Sequence, residues 1–196
     1  MQQFKTDQRL NKIKNVISQR QPSLTVVLEN IHDPHNVSAI YRTCDSVGVQ
    51  KVSLLYNIEK FPRISKVSSS SANKWINTER STDTKECYED LRRKGFRIYA
   101  SLLSDDAVDV YSIDMTEKAA FVFGNESRGV SEEAAKNADE VFYIPMRGMI
   151  QSLNVSVAAA VTLYEAQRQR TIKGMYEKSE LSTIELDELI DEWCER

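Results

Sequence analysis

Apolar and polar residues follow two different periods along this chain, and the points where the period changes mark its elements. Leu10, Ile13 and Ile17 recur at helical spacing across residues 7–20, which predicts an amphipathic helix ended by Pro22. The run Leu-Thr-Val-Val-Leu at 24–28 predicts a short buried strand, followed by a polar loop over 30–36. A helix is predicted over 37–47, closed by Gly48, with a strand at 52–56 behind it. Residues 57–74 form a long polar, basic loop with Pro62 and four consecutive serines. Beyond it the pattern predicts strands at 75–79, 96–101, 119–123 and 141–144. Helices are predicted over 82–94, 131–137 and from 153 to about 170, with a last helix capped by Ser182 or Thr183.

Strands alternating with helices predict an α/β fold with a parallel sheet covered on both faces. Ligands of such sheets gather beyond the carboxyl ends of the strands, where Ser101, Gly124 and Ile144 fall. With 196 residues, 41% hydrophobic and 28% charged, the chain can bury a core without disulfides. Its three cysteines are widely spaced and form no CxxC pair, so no zinc site is expected and a reducing cytoplasm is. No signal peptide or membrane-length apolar run is visible, so a soluble protein is expected. The net charge of −3 hides an uneven distribution. Residues 1–20 are basic, and the six carboxylates after residue 184 face Arg196 alone. Without that tail the chain is slightly positive, so charge neither favours nor excludes a polyanionic partner.

The densest chemistry lies in residues 121–169. There Gly124-x-Glu126-x-x-Gly129 ends one strand, and Pro145-Met-x-Gly148-Met-x-Gln151-Ser152-Leu153-Asn154 joins the next to a long helix. These read as two walls of a small-molecule pocket. The glycine spacing fits neither a dinucleotide fingerprint nor a phosphate loop. Turn glycines with an exposed Glu126, and Ser152 or Asn154 as a helix cap, are the plain alternatives. Asn36 and Arg42 stand six apart in HNVSAIYRT. One reading makes them a helix cap and a solvated arginine. The other buries Arg42 among Ala39, Ile40, Cys44 and Val47, where it needs an anionic partner. His32 and His35 have no third ligand at metal-binding spacing.

Three segments, VLENIHDPHNVSAIYRTCDSVGV, FVFGNESRGVSEEA and IPMRGMIQSLNVSVAAAVTLYEAQRQR, resemble motifs one to three of the TrmH-type tRNA (guanosine-2′-O)-methyltransferases of the SPOUT superfamily. The resemblance spans about residues 20–172 and implies a deep trefoil knot in the C-terminal half of the α/β sheet. It implies S-adenosylmethionine at Ser101, Gly124, Ile144 and Leu153, and a homodimer whose active sites combine both subunits. It implies a tRNA substrate methylated on the D-loop guanosine at position eighteen. Arg42 matches the catalytic arginine, with Asn36, Glu126, Ser152 and Asn154 as the accompanying polar residues. A basic surface of Arg9, Lys12, Arg20, Arg63, Lys66, Lys74, Arg168 and Arg170 is expected to meet the RNA. The organisation implied is a basic helix at 1–21, the methyltransferase domain at 22–170 and a helical extension at 171–196. Ribose methylation elsewhere on tRNA or on rRNA, or a knotted RNA-binding protein without catalysis, are the alternatives.

Overall fold

A computed structural model describes residues 6–62 and 72–196. Its strands are β1 (Gln21–Glu29), β2 (Val49–Leu55), β3 (Asn77–Ser81), β4 (Arg97–Ser101), β5 (Val108–Asp109), β6 (Ala119–Phe123) and β7 (Glu140–Tyr143). Its helices are α1 (Asp7–Ser18), α2 (Pro34–Ser46), α3 (Thr84–Arg93), α4 (Glu132–Asn137), α5 (Val155–Ile172) and α6 (Thr183–Glu195). The strands form one seven-stranded sheet in the order β3-β2-β1-β6-β4-β7-β5, and every pairing is parallel.

Alternate strand residues feed two separate cores, the arrangement a doubly covered parallel sheet requires. Val26, Leu28, Phe121 and Phe123 point to one face, under Ile40 and Tyr41 of α2 and Leu163 of α5. Val27, Ala120 and Val122 point to the other, under Tyr88 and Leu91 of α3 and Ala134 of α4. Each such large apolar side chain contributes roughly 1.5–3 kcal/mol on burial. A third cluster joins the chain termini, with Ile13 and Ile17 of α1 against Leu189, Ile190 and Trp193 of α6.

Three departures from the sequence pattern have local causes. The first strand begins at Gln21 and contains Pro22, which falls in the register irregularity between Gln21 and Thr25, where a missing N–H does least harm. Helix α2 starts at Pro34 because Asp33, not Asn36, is its cap, its side chain accepting the His35 N–H at 2.8 Å. Proline at the first helical position suits that start. The two-residue β5 has no sequence signature of its own and exists by pairing with β7. That pairing places β7 between β4 and β5, inside the sheet.

Candidate active site

Three strands end side by side at one edge: β4 at Ser101, β6 just before Gly124 and β7 just before Ile144. The turn after β6 folds tightly on itself. Asn125 and Gly129 form an isolated antiparallel bridge, and the Gly129 N–H donates to the Asn125 carbonyl at 2.8 Å. A Cβ at Gly124 would lie 2.2 Å from the Gly129 backbone, and Gly129 has φ +70. Close approach therefore dictates glycine at 124, and the left-handed conformation favours it at 129.

The turn delivers Glu126 to the loop between β1 and α2. One Glu126 oxygen accepts the His32 N–H at 2.9 Å. The other accepts the Asp33 N–H at 3.1 Å and the Asn36 side-chain amide at 2.8 Å. Asn36 in turn accepts from the Asn154 side chain at 3.2 Å, while Asn154 caps α5 through the Ser156 N–H at 2.8 Å. Glu126, Asn36 and Asn154, from three distant segments, thus form one hydrogen-bonded chain. Burial pushes the Glu126 carboxyl pKa up, but the Asn36 bond and the backbone donors outweigh it and hold the group below the usual carboxylate range. Glu126 is a fixed anion whose oxygens are engaged, which suits bracing rather than proton uptake.

Beside this chain lies a cavity of about 460 Å³. Ser101, Gly124, Ile144 and Leu153 all line it, as do Glu126, Ser152 and Asn154. Sequence reasoning missed Leu102, Leu103, Tyr143 and Ala158 in the wall. Ala158 alone had a signal, the small-residue run at the start of α5. Volume and the mixture of apolar wall with a few polar groups match small-molecule and cofactor sites. The segment from Arg147 to Ser152 stands exposed at the mouth, with Met149 99% and Ile150 69% accessible.

Arg42 is not in the cavity wall. Contrary to the burial reading, it is exposed on α2, and no hydrogen bond or ion pair joins it to another described residue. Helices α2 and α5 run in step, Asn36 meeting Asn154 and Ser46 meeting Tyr164 at 3.3 Å. One turn before Ser46, Arg42 therefore borders an exposed apolar stripe on α5, with Val157 46% and Tyr164 52% accessible.

Two of the arginines expected on an RNA surface are corrected by their burial. Arg20 is fully buried, donating to the Val49 carbonyl at 3.1 Å and to the Asp45 carboxylate, with Trp193 stacked 5.0 Å away. Arg170 is also fully buried; it donates to the Met115 and Glu117 carbonyls at 2.9 Å and to Ser23 Oγ at 2.7 Å. Neither has a face to offer a phosphate. Arg9 and Lys12 are exposed and Lys74 is half-buried. Arg168 is exposed but forked onto Glu165 at 2.7 and 2.8 Å. Arg63 and Lys66 lie outside the described residues.

Comparison with known proteins bears on the family of the chain. Residues 23–164 match the model of the SpoU rRNA Methylase family. A tRNA (guanosine(18)-2′-O)-methyltransferase of Thermus thermophilus is 44% identical over 98% of each chain. The crystal structure of the A. aeolicus TrmH/SpoU tRNA modifying enzyme superposes with a TM-score of 0.90 at 39% identity, covering 96% of each chain. The SpoU methyltransferase AviRb from Streptomyces viridochromogenes, solved with the cofactor AdoMet, has a TM-score of 0.69 at 26% identity, covering 80% of this chain and 61% of that one. With two of the motifs lining one cavity, the first hydrogen-bonded to both of them, and a family match across most of its length, this chain belongs to the SpoU methylase family.

Proposed function

We propose that this protein is an enzyme that methylates the ribose 2′-oxygen of the D-loop guanosine at position eighteen of tRNA, using S-adenosylmethionine. The observation that carries this reading is the cavity at the ends of β4, β6 and β7, closed by the Glu126–Asn36–Asn154 chain. Relatives that cover almost the whole chain and carry that activity in their names support it. The further division into a basic helix, a central domain and a C-terminal extension, and a cytoplasmic location with its tRNA, follow from the same reading. A trefoil knot fits the placement of β7 between β4 and β5, followed by the return of α5 to α2.

S-adenosylmethionine supplies a methyl group that its sulfonium already makes electrophilic. Ser101, Gly124, Ile144 and Leu153 would hold it, with backbone groups at the strand ends available where side chains are small or absent. The remaining task is to align a ribose hydroxyl and ease its deprotonation. Glu126 braces the loop that leads into α2, and Asn36 and Asn154 fix the rim, so Ser152 and Asn154 stand where a hydroxyl would enter. Arg42 clamps the adjacent phosphate through its guanidinium fork and orients the hydroxyl, a role for which a permanently charged group is suited.

Because Arg42 does not line the cavity of its own chain, its place in this reading is across a subunit boundary. The apolar stripe of Val157 and Tyr164 on α5 is the interface proposed for a homodimer, and Arg42 at its border completes the site of the partner subunit. Arg9, Lys12, Lys74 and Arg168 supply the phosphate-binding surface.

Tritiated methyl transfer to an unmodified tRNA transcript, followed by nucleoside analysis, tests the proposal. Label in 2′-O-methylguanosine, lost when 2′-deoxyguanosine replaces the nucleotide at position eighteen, is expected. Label in another nucleoside, or on rRNA only, would overturn it.

A further inference from the structure

At the rim of the cavity a carboxylate outside all three motifs ties two of them together. Glu59, in the turn after β2, accepts from Arg128 Nη2 at 2.9 Å through one oxygen. Its other oxygen lies 3.3 Å from His32 Nδ1. Arg128 is two residues from Glu126 in the turn after β6, and His32 belongs to the loop after β1. Glu59 is itself anchored through its backbone. Asn30 Oδ1 accepts the consecutive N–H groups of Asn57, Ile58 and Glu59 at 3.0–3.2 Å. Asn30 does so from φ 50, where it is the single non-glycine among the described residues with positive φ. Its carbonyl accepts from the Asn125 side chain at 2.8 Å, which closes the ring of loops.

We propose that Glu59 is a positioning residue that sets the Arg128 guanidinium at the rim as a donor to the RNA backbone, with the His32 ring against its other oxygen holding the carboxylate in place. The inference rests on the reading of the site as a tRNA methyltransferase. Exposed ion pairs add little to stability, so the fold does not require this one. A carboxylate serving only to neutralise Arg128 would have no need to span to His32 or to have its own N–H pinned. A left-handed asparagine is retained where the surroundings over-determine it, commonly beside a functional site. Arg128 keeps the rest of its guanidinium N–H groups unengaged by described residues, and the residue is exposed beside Glu126. A fork held at one corner and open on the others is prepared for a phosphate.

The test compares Glu59→Ala, Glu59→Gln, Arg128→Ala and the Glu59→Ala/Arg128→Ala double variant. Readouts are steady-state methylation with tRNA varied, tRNA affinity by filter binding, S-adenosylmethionine affinity by calorimetry, and thermal unfolding. Glu59→Ala is expected to raise KM and Kd for tRNA about fivefold, the scale of one charge-assisted hydrogen bond, with kcat, cofactor affinity and Tm unchanged. Glu59→Gln keeps an acceptor and recovers most of that loss, and the double variant is no worse than Arg128→Ala. A lower KM or Kd for tRNA in Glu59→Ala, effects that multiply in the double variant, or a parallel loss of cofactor affinity would each overturn the proposal. Absence of methyl transfer by the unsubstituted protein would instead sink the functional reading, while filter binding would still report on Glu59.

Discussion

Two kinds of arginine stand a few residues from the same helices, and their surroundings are opposite. Arg20 and Arg170 lie in the seams between elements, with no accessible surface and with carbonyls, hydroxyls and carboxylates around the guanidinium. Arg42 lies on the outer side of α2, bonded to none of the described residues. A buried charge survives only when its hydrogen bonds are met inside the fold. Arg20 and Arg170 are therefore parts of the scaffold, Arg170 spending its donors on the chain itself and Arg20 doing so through its two terminal nitrogens, while its Nε meets no partner among the described residues. Arg42 leaves its donors open to solvent, as the phosphate-clamp role proposed for it requires. Position along a basic segment does not distinguish these cases; the direction of the side chain does.

The contrast can be broken most severely at Arg170. Arg170→Met should destabilise the fold by about 3–5 kcal/mol by leaving Glu180 and several acceptors unpaired. Thermal unfolding should then fall by roughly 10 °C. Arg42→Ala should leave Tm unchanged and lower kcat about a hundredfold, the scale of a lost transition-state donor, with S-adenosylmethionine affinity intact. Tyr164→Glu, in the apolar stripe beside Arg42, should raise the dimer dissociation constant at least about tenfold by sedimentation, and activity should fall with dimer content. Lys12→Ala should be milder still, reducing the salt dependence of tRNA binding by a slope of about 1.

Glu126 sharpens the comparison through pH. Its folded pKa is lowered, so the folded state binds a proton less readily than the unfolded chain. Its stabilising contribution is present above the ordinary carboxylate pKa and is lost as pH falls through the lowered value. Acid unfolding profiles of Glu126→Gln should therefore converge with those of the unsubstituted protein at low pH and fall below them at neutral pH.

Much of this arrangement was legible from residue order, for physical reasons that differ by region. The strand at 119–123 and the helix capped by Ser131 announce themselves by period and cap, and the structure places both there. Ser101, Gly124 and Ile144 converge because parallel strands deliver their carboxyl ends to one edge, and Leu153 joins them from the loop that leads into α5. The burial of Arg170 was illegible, since an arginine in the last turn of a helix reads as a solvated end unless the packing of β1 and residue 115 against it is known. Glu59 belongs to no motif, and the roles of Asn30 and Glu59 depend on loops brought together only by the sheet. The short β5 depends wholly on β7 for its existence.

A purified heterodimer tests most directly whether Arg42 completes a neighbouring cavity. One subunit carries Arg42→Ala with an intact cavity, and the other carries Leu153→Trp, which crowds the cavity but keeps Arg42. Assembly across the two-fold leaves one complete site of two, so about half of the unsubstituted methyl-transfer rate to tRNA is expected. A heterodimer as inactive as either parental homodimer would contradict the account, because it would place Arg42 and its cavity in the same subunit.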